Sequence, residues 1–544
     1  MLGQTQLKDD PQGRTFWDVK HTEEERHVTF AIAPGTVYDR VHAAMDRLAR
    51  LVEPYPGIAT QQPRPINEVE ADLEALKERG EIDAKLERLH WLMNAIVRAS
   101  LYRYNREERR TLLKPWHGSV AIDGTLVPIY STKFGGGVRK EYRNCNSTKI
   151  HHPEAMAGWY VRTGDHGGFQ EDGVTPVSAQ EMKDSKWGLE AHFAITIDDE
   201  HANKAHHSPN LVFGVALGAP GARIGENSLI ALKSLHKVAT DNNIGSGTLV
   251  GDRAVMPNAK ADKLKKPARK LGFNFCHDYT STQLGKQQGP IGAVQVEGQL
   301  YCPAITNAMA NATKKARGRQ DTEDDDFDAV EPDRTYKQQL ERRHLYIVPT
   351  KEPLNANGEI RISCPASDPR GGVSCPLRKA VVEEIKDADL RNKLTDRMKD
   401  GKTRASITNP PAYPNEICTS HQLSHKVQLD DKALKYHQDY AYKSPTWYKM
   451  YGQRNQVETF NKDVKDDGLG DTKRRRMRGY GKQGILIALF VARTNVKRIN
   501  AYLAVWRAKI QTVPKDPGPS GRPGRGHGSA IVTEDLPPPD RVAA

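Results

Sequence analysis

Through the middle of the chain, apolar positions fall into short runs separated by polar, glycine-rich stretches. SVAIDGTLVPIY (119–130) predicts a strand with Val120 and Ile122 on one face. GLEAHFAITIDD (188–199) and NLVFGVALG (210–218) predict two more strands. In NSLIALKSLHKVATDN (227–242) the spacing becomes helical: Leu229, Leu232, Leu235 and Val238 share a face, and Asn227 suits the N-cap. GTLVGD (247–252) is a short apolar run ending in an acid, and after a further helix FNFCHDY (273–279) predicts another strand. Late in the chain, GILIALFVARTNVKRINAYLAVWRAK (484–509) predicts a long amphipathic helix covering the sheet.

Upstream, residues 1–115 have helical periodicity and many charges. PGTVYDRVHAAMDRLARL (34–51) fits either the close of a helix-turn-helix, with Pro34-Gly35 in the turn and a DNA-binding role, or part of a helical packing domain. A polar, glycine-rich excursion up to about residue 186 reads as surface loops. Residues 280–440 interrupt the strand and helix pattern with strand-like pieces, GAVQVEGQLYC and RRHLYIVPT, and an acidic run at 321–333. A structureless connection that long does not suit a compact domain, so the stretch reads as an inserted, strand-rich subdomain with one disordered loop. Residues 512–544 are rich in proline and glycine and read as a disordered tail.

Three meandering strands followed by alternating helix and strand is the element order of an RNase H-like α/β fold, a mixed sheet flanked by helices. The expected core lies in two parts, 116–279 and 441–511, around the 280–440 insertion. The length of 544 residues allows two to four domains. The net charge of +13 favours a polyanionic partner. The longest apolar run, GILIALFVA, is too short to span a bilayer, and the N-terminus lacks the apolar core of a signal peptide. Six cysteines do not make a disulfide framework, so a cytoplasmic protein with reduced thiols is expected.

Candidate chemistry centres on YGQRNQVETFNKDVK. On one continuous helix, Tyr451, Arg454, Glu458 and Lys465 fall within an arc of roughly 60°. Met450, Val457, Phe460 and Val464 make an adjoining apolar stripe that would hold the helix down, leaving the polar stripe at the rim of a cleft. On spacing alone, an ordinary helix with ion pairs three and four residues apart fits as well. Two further acids change the picture. Asp123 lies in the first predicted strand and Asp252 ends the fourth. If the first strand is central and the fourth its parallel neighbour, the two aspartates lie side by side, with Glu458 brought above them. Three carboxylates are what two hard divalent cations about 4 Å apart need for in-line displacement at phosphorus.

These residues resemble the DDE transposases of insertion sequences, in the group whose third acid sits in a Tyr-x2-Arg-x3-Glu-x6-Lys signature. Tyr451, Arg454, Glu458 and Lys465 match every spacing; AIDGT and GDRAV resemble the first and second acid motifs. The family commonly has glycine and an aromatic after Asp-Arg, where this chain has Ala254 and Val255. The resemblance covers about residues 117–505. It implies an RNase H-like core and two Mg²⁺ or Mn²⁺ ions on Asp123, Asp252 and Glu458. It implies cleavage at transposon ends followed by strand transfer into target DNA, by a homodimer. Tyr451, Arg454 and Lys465 would hold the phosphates and terminal nucleotide of the element end. Another RNase H-like nuclease of the resolvase type, and a non-catalytic DNA-binding remnant of a mobile element, remain alternatives.

Two other groups belong in this reading. KRRRMRGYGK (473–482) offers Lys473, Arg474, Arg475, Arg476 and Arg478 to a DNA backbone, with a solvated basic loop as the alternative. Cys364, Cys375, Cys418 and His421 could carry a structural zinc, but the spacings are long and no Cys-x2-Cys pair exists, which favours ordinary thiols.

Overall fold

The computed structural model describes residues 5–9, 15–19, 29–30, 34–57, 64–130, 150–151, 154, 156–160, 186–198, 200, 207–320, 334–399, 404–473 and 475–512. The predicted acidic loop at 321–333, most of the 131–186 excursion and the tail after residue 512 lie outside these. The chain forms two compact units. One holds Met1–Met93, Pro128–Gly188 and Asp471–Leu489, the other Asn94–Val127, Leu189–Gly470 and Phe490–Ala544. No helix among the described residues is long and apolar enough to cross a membrane.

The first unit begins with three antiparallel strands, β1 (Thr5–Asp9), β2 (Thr15–Val19) and β3 (Thr29–Phe30). Helices α1 (Pro34–Val52), α2 (Ile66–Glu78) and the start of α3 (Glu81–Tyr102) follow. The helix-turn-helix reading is corrected here. Pro34 is the first residue of α1, not a turn residue, and the described residues ahead of it are strands. Proline suits a helix start because its fixed φ is helical and its missing N–H would have no partner there. The helical N-terminal region is also divided, since residues 94–115, with the end of α3 and all of α4 (Arg106–Leu113), belong to the second unit.

In the second unit β4 (Val120–Pro128), β5 (Lys186–Thr196) and β6 (Val212–Gly218) lead into α5 (Ile224–Asp241). Then come β7 (Thr248–Gly251), α6 (Lys265–Lys270) and β8 (Asn274–His277). The sheet runs β8-β7-β4-β5, with β6 paired to the far side of β5. β7 is parallel to β4 and β8 parallel to β7. β6 is antiparallel to β5. Ser119 O accepts from Ile197 N, and Gly124 backs onto Glu190 and His192, so β5 runs antiparallel to β4. The result is a mixed α/β sheet with β4 at its centre.

One face of the sheet carries the main core. Val120, Ile122, Leu249 and Phe275 pack with Leu232, Leu235 and Val238 of α5. Ile499 and Leu503 of α7 (Tyr480–Thr512) join them, and Asn495 caps the β6 edge by bonding both Val212 N and Val212 O. This is the long helix expected from the sequence. Its predecessor α5 starts earlier than expected. Arg223, with φ of 52°, is the N-cap, and Asn227 lies inside the helix with its amide turned back to Ala222 O. The left-handed entry at Arg223 winds the chain into helix just over a turn before the side chain suited to capping.

The 280–440 stretch is mixed, which corrects the strand-rich expectation. It has short strands such as Glu359–Ile362 and His425–Gln428, but also helices at Arg334–His344, Pro376–Glu383 and Ala388–Met398. Two of these helices, RTYKQQLERRH and ADLRNKLTDRM, are too polar to show a wide apolar stripe in sequence.

β6 and α5 approach so closely at Gly214 that a Cβ there would lie 1.8 Å from the Ala231 carbonyl oxygen. Gly214→Ala is therefore expected to cost at least about 2 kcal/mol of stability, through overpacking against backbone that cannot rotate away. Equilibrium urea unfolding measures this. An unchanged midpoint would refute the close α5–β6 packing.

Candidate functional site

Alternation along β4 decides which side chains face away from the core. With Val120 and Ile122 inward, Asp123 and Thr125 do not share their stack, and each meets the late helical segment on the opposite face. The register sets the neighbour. Gly251 of β7 lies opposite Ile122, so Asp252, the next residue, emerges beside Asp123. There the chain turns sharply: Met256 N donates to Asp252 O, and Val255 N donates to Asp252 Oδ1 at 2.8 Å. Val255, where the family resemblance expects an aromatic, is buried in the core.

The late segment was expected as one helix. It is two, Pro445–Gly452 and Asn455–Val464. Between them Gln453 N, Arg454 N, Gln456 N and Val457 N each bond the carbonyl three residues back, not four. Gly452 sits at this joint, where its low helix propensity makes a tightened turn inexpensive. A tightened turn advances roughly 120° per residue, so Tyr451 no longer lies in phase with Glu458 as on a uniform helix. Lys465 falls just past the second helix, in a wider turn spanning Lys465–Leu469. The apolar stripe behaves as expected. Met450, Val457, Phe460 and Val464 are buried, and Phe460 meets Phe193 of β5 edge-to-face at 6.0 Å.

This packing brings the three acids into one electrostatic neighbourhood. Burial and then the charge of Asp252 push the Asp123 carboxyl up to about 7; Arg454 opposes this and Glu458 adds to it. Burial works against the Arg454 charge, but Tyr451, Glu458, Asp123 and Asp252 together outweigh it and raise its pKa. Arg454 Nη2 donates to Glu458 Oε1 at 2.5 Å. Glu458 is 47% exposed in that pair, so the bond is worth only about 0.3–0.5 kcal/mol and holds an orientation more than it stabilises the fold. The carboxylates are thus adjacent but not drawn together: among the described residues no three acids, histidines or cysteines form a ready metal-binding group.

Three residues missed by sequence reasoning complete the site. Asn461, one helical turn after Glu458, donates from Nδ2 to Asp123 Oδ2 at 3.0 Å, and its Oδ1 is buried without a partner. Thr125 accepts from Lys465 Nζ at 2.6 Å. Trp447 stacks on Tyr451 with ring centroids 4.6 Å apart and planes 13° apart. Burial, and then the charges of Asp278 and Asp252, push the Tyr451 hydroxyl up to about 12 against Arg454, and the stack already occupies one face of its ring. The signals for Asn461 and Thr125 were their spacings, i+3 from Glu458 and i+2 from Asp123.

The basic run belongs to the first unit, not to the unit of the carboxylates. Lys473 is exposed, Arg478 is half-buried, and Arg476 is exposed with its guanidinium 5.3 Å from the centre of the Tyr130 ring. Arg474 lies outside the described residues. Arg475 corrects the expectation of a DNA contact. It is buried and donates to Pro128 O and Gln483 Oε1, and burial lowers its pKa to about 10. A guanidinium spent on interior oxygens is not offered to a phosphate. Among the candidate zinc ligands, Cys364 and Cys418 are buried and Cys375 is half-buried in one apolar core, whereas His421 is exposed, so the histidine is not part of that group.

Asp123 gives a signed pH prediction. Its folded pKa is raised above the unfolded value of 3.8, so its contribution to stability is complete below that value and is lost as pH climbs towards 7. In metal-free protein Asp123→Asn is expected to be stabilising. The gap should open between about pH 4 and 7 and then level off at on the order of 4 kcal/mol. Thermal unfolding across pH in the presence of a chelator reads it, and a gap independent of pH would contradict the assigned environment.

Compared with family models, with curated proteins and with solved structures, the chain finds no match.

Proposed function

We propose that the protein is a DNA transposase of the DDE type, which cleaves transposon ends and transfers the freed strand into target DNA. The observation that carries this reading is the β7–β4 register, which sets Asp252 beside Asp123 beneath a helix presenting Glu458. The sheet order supports an RNase H-like core. Three antiparallel strands, β4, β5 and β6, are extended on the β4 side by two strands parallel to β4. The Tyr-x2-Arg-x3-Glu-x6-Lys spacing and the net charge of +13 agree with it.

Asp123, Asp252 and Glu458 are the residues that would hold two Mg²⁺ or Mn²⁺ ions. The donor set fits: all three offer hard oxygens. The Asp252 charge already raises the cost of charging Asp123, which a divalent cation relieves. The weak Arg454–Glu458 pair leaves Glu458 free to turn. When bound, such ions activate the attacking oxygen and stabilise the leaving one. The chain's own residues do the rest. Asn461 orients the Asp123 carboxylate through Oδ2. Arg454, whose Nε is buried without a partner, turns towards a phosphate when Glu458 leaves it. Lys465 moves from the Thr125 hydroxyl to the DNA backbone, and the Trp447–Tyr451 stack gives the terminal base a rigid edge. Two element ends must be held at once, so the working form is a homodimer on double-stranded DNA.

The test uses full-length protein and a duplex carrying the inverted repeats that flank the coding region. Wild type with Mg²⁺ or Mn²⁺ should nick the repeat end and join it to a second duplex. Asp252→Asn and Glu458→Gln should each lower cleavage by at least about 10³-fold, several kcal/mol of transition-state stabilisation, while gel-shift binding persists. Cleavage without joining would point to a resolvase-type nuclease. Binding with neither cleavage nor Mn²⁺ affinity would point to a non-catalytic remnant. Full cleavage by either variant would end the metal assignment.

A further inference from the structure

The core of the inserted stretch gathers four cysteines from separate segments. Cys302, Cys364 and Cys418 are buried, Cys375 is half-buried, and all four are free thiols in one apolar cluster. Backbone pairing accounts for their convergence. Cys302 N donates to Tyr346 O and Val348 N to Leu300 O, which seats Cys302 against the 346–348 segment. Ser363 N donates to Pro349 O, which seats Cys364 beside the same segment. Cys375 is the N-cap of the helix Pro376–Glu383. From that helix Arg378 reaches Ser367 Oγ at 3.3 Å, Cys418 O at 3.1 Å and Ser420 O at 2.5 Å. One guanidinium thus ties together the turns bearing Cys364, Cys375 and Cys418. The charge on Cys302 is felt by Cys364, Cys418 and Cys375, and that on Cys418 by Cys364 and Cys375.

Arg378 is not explained by a plain apolar core. It is 2% exposed, and its hydrogen bonds run to a hydroxyl and two carbonyls; among the described residues no carboxylate pairs with it. A buried cation without an anion is costly, so an anionic group belongs beside it.

We propose that Cys302, Cys364, Cys375 and Cys418 hold a structural zinc ion that staples the inserted subdomain, with Arg378 as the buried counter-charge. Four thiolates around Zn²⁺ make a closed tetrahedral site of net charge −2, with no open position for chemistry. Sulfur ligands select zinc over the hard cations that suit Asp123, Asp252 and Glu458. The four sulfurs do not yet stand in a metal-binding arrangement. To hold the ion they would turn inward about their Cα–Cβ bonds, each thiol giving up its proton to solvent. Cys302, not the exposed His421, supplies the fourth ligand.

Full-length protein purified under reducing conditions from zinc-supplied cells should carry close to stoichiometric zinc that survives dialysis. Exchange for Co²⁺ should give the strong visible and charge-transfer bands of a tetrahedral tetrathiolate. Zinc should remain in the Asp123→Asn, Glu458→Gln double variant, which separates this site from the carboxylates. Cys302→Ser and Cys375→Ser should lose the ion on dialysis, and His421→Ala should keep it. If the serine variants do not fold, the cobalt spectrum of the wild type still decides. Folded wild-type protein free of zinc, a cobalt spectrum without thiolate bands, or zinc kept by Cys302→Ser would overturn the proposal.

Discussion

Parallel pairing of β7 on β4 is the constraint from which the candidate site follows. Leu249 opposite Val120 and Gly251 opposite Ile122 leave no freedom about where Asp252 emerges. Because strand side chains alternate, the same register that sends Ile122 into the core sends Asp123 to the other face. A slip of one residue would bury the aspartate and expose the isoleucine. The apolar packing of α5 and α7 on one side of the sheet therefore specifies the position of two carboxylates on the other. Gly251 is part of the same arrangement. A Cβ there would lie 2.5 Å from Met256 Cγ, so the sharp turn that stops β7 at Asp252 depends on a residue without a side chain.

Bringing those carboxylates together opposes folding. Desolvation and the neighbouring charges of Asp252 and Glu458 raise the Asp123 pKa, against the Arg454 charge and a backbone hydrogen bond from Gly124. The fold supplies the compensation through Val457, Phe460 and Val464, which have no exposed surface and hold the helix down regardless of what its polar side does. Each such side chain is worth about 1.5–3 kcal/mol on burial, more than the Arg454–Glu458 pair can contribute. The apolar stripe therefore governs position, and the polar groups are free to exchange partners when charge arrives.

The sheet was legible in the sequence because its strands are short, apolar and bounded by glycine and polar residues, and because α5 has helical spacing over four turns. The acids at Asp123 and Asp252 were legible because each breaks an apolar run. Other features were hidden for identifiable reasons. A helical wheel assumes a uniform helix, and the tightened turn at Gln453–Arg454 depends on tertiary packing around Gly452 that spacing does not encode. Arg475 has the same charge as its neighbours in KRRRMR, and only the carbonyl of Pro128, far away in sequence, turns it inward. Asn461 reads as one more polar residue until β4 is placed beneath it.

The same distinction separates the two groups of candidate ligands. Asp123, Asp252 and Glu458 are held by a register and a helix that exist without any ion, and their oxygens keep partners of their own: Asn461, Val255 N and Arg454. Such groups can bind and release cations without disturbing the fold, as a reaction centre requires. The four cysteines sit in a core of short strands, Gln299–Tyr301, Thr350–Glu352 and Glu359–Ile362, which offer few ladder bonds each. Short strands with a small apolar cluster are marginal alone. A closed tetrathiolate site there would act on stability directly, with the buried Arg378 charge as the sign that the apolar cluster is not complete in itself. Hard oxygen donors on a rigid sheet and soft sulfur donors in a loosely built insertion therefore suit different ions for different physical reasons.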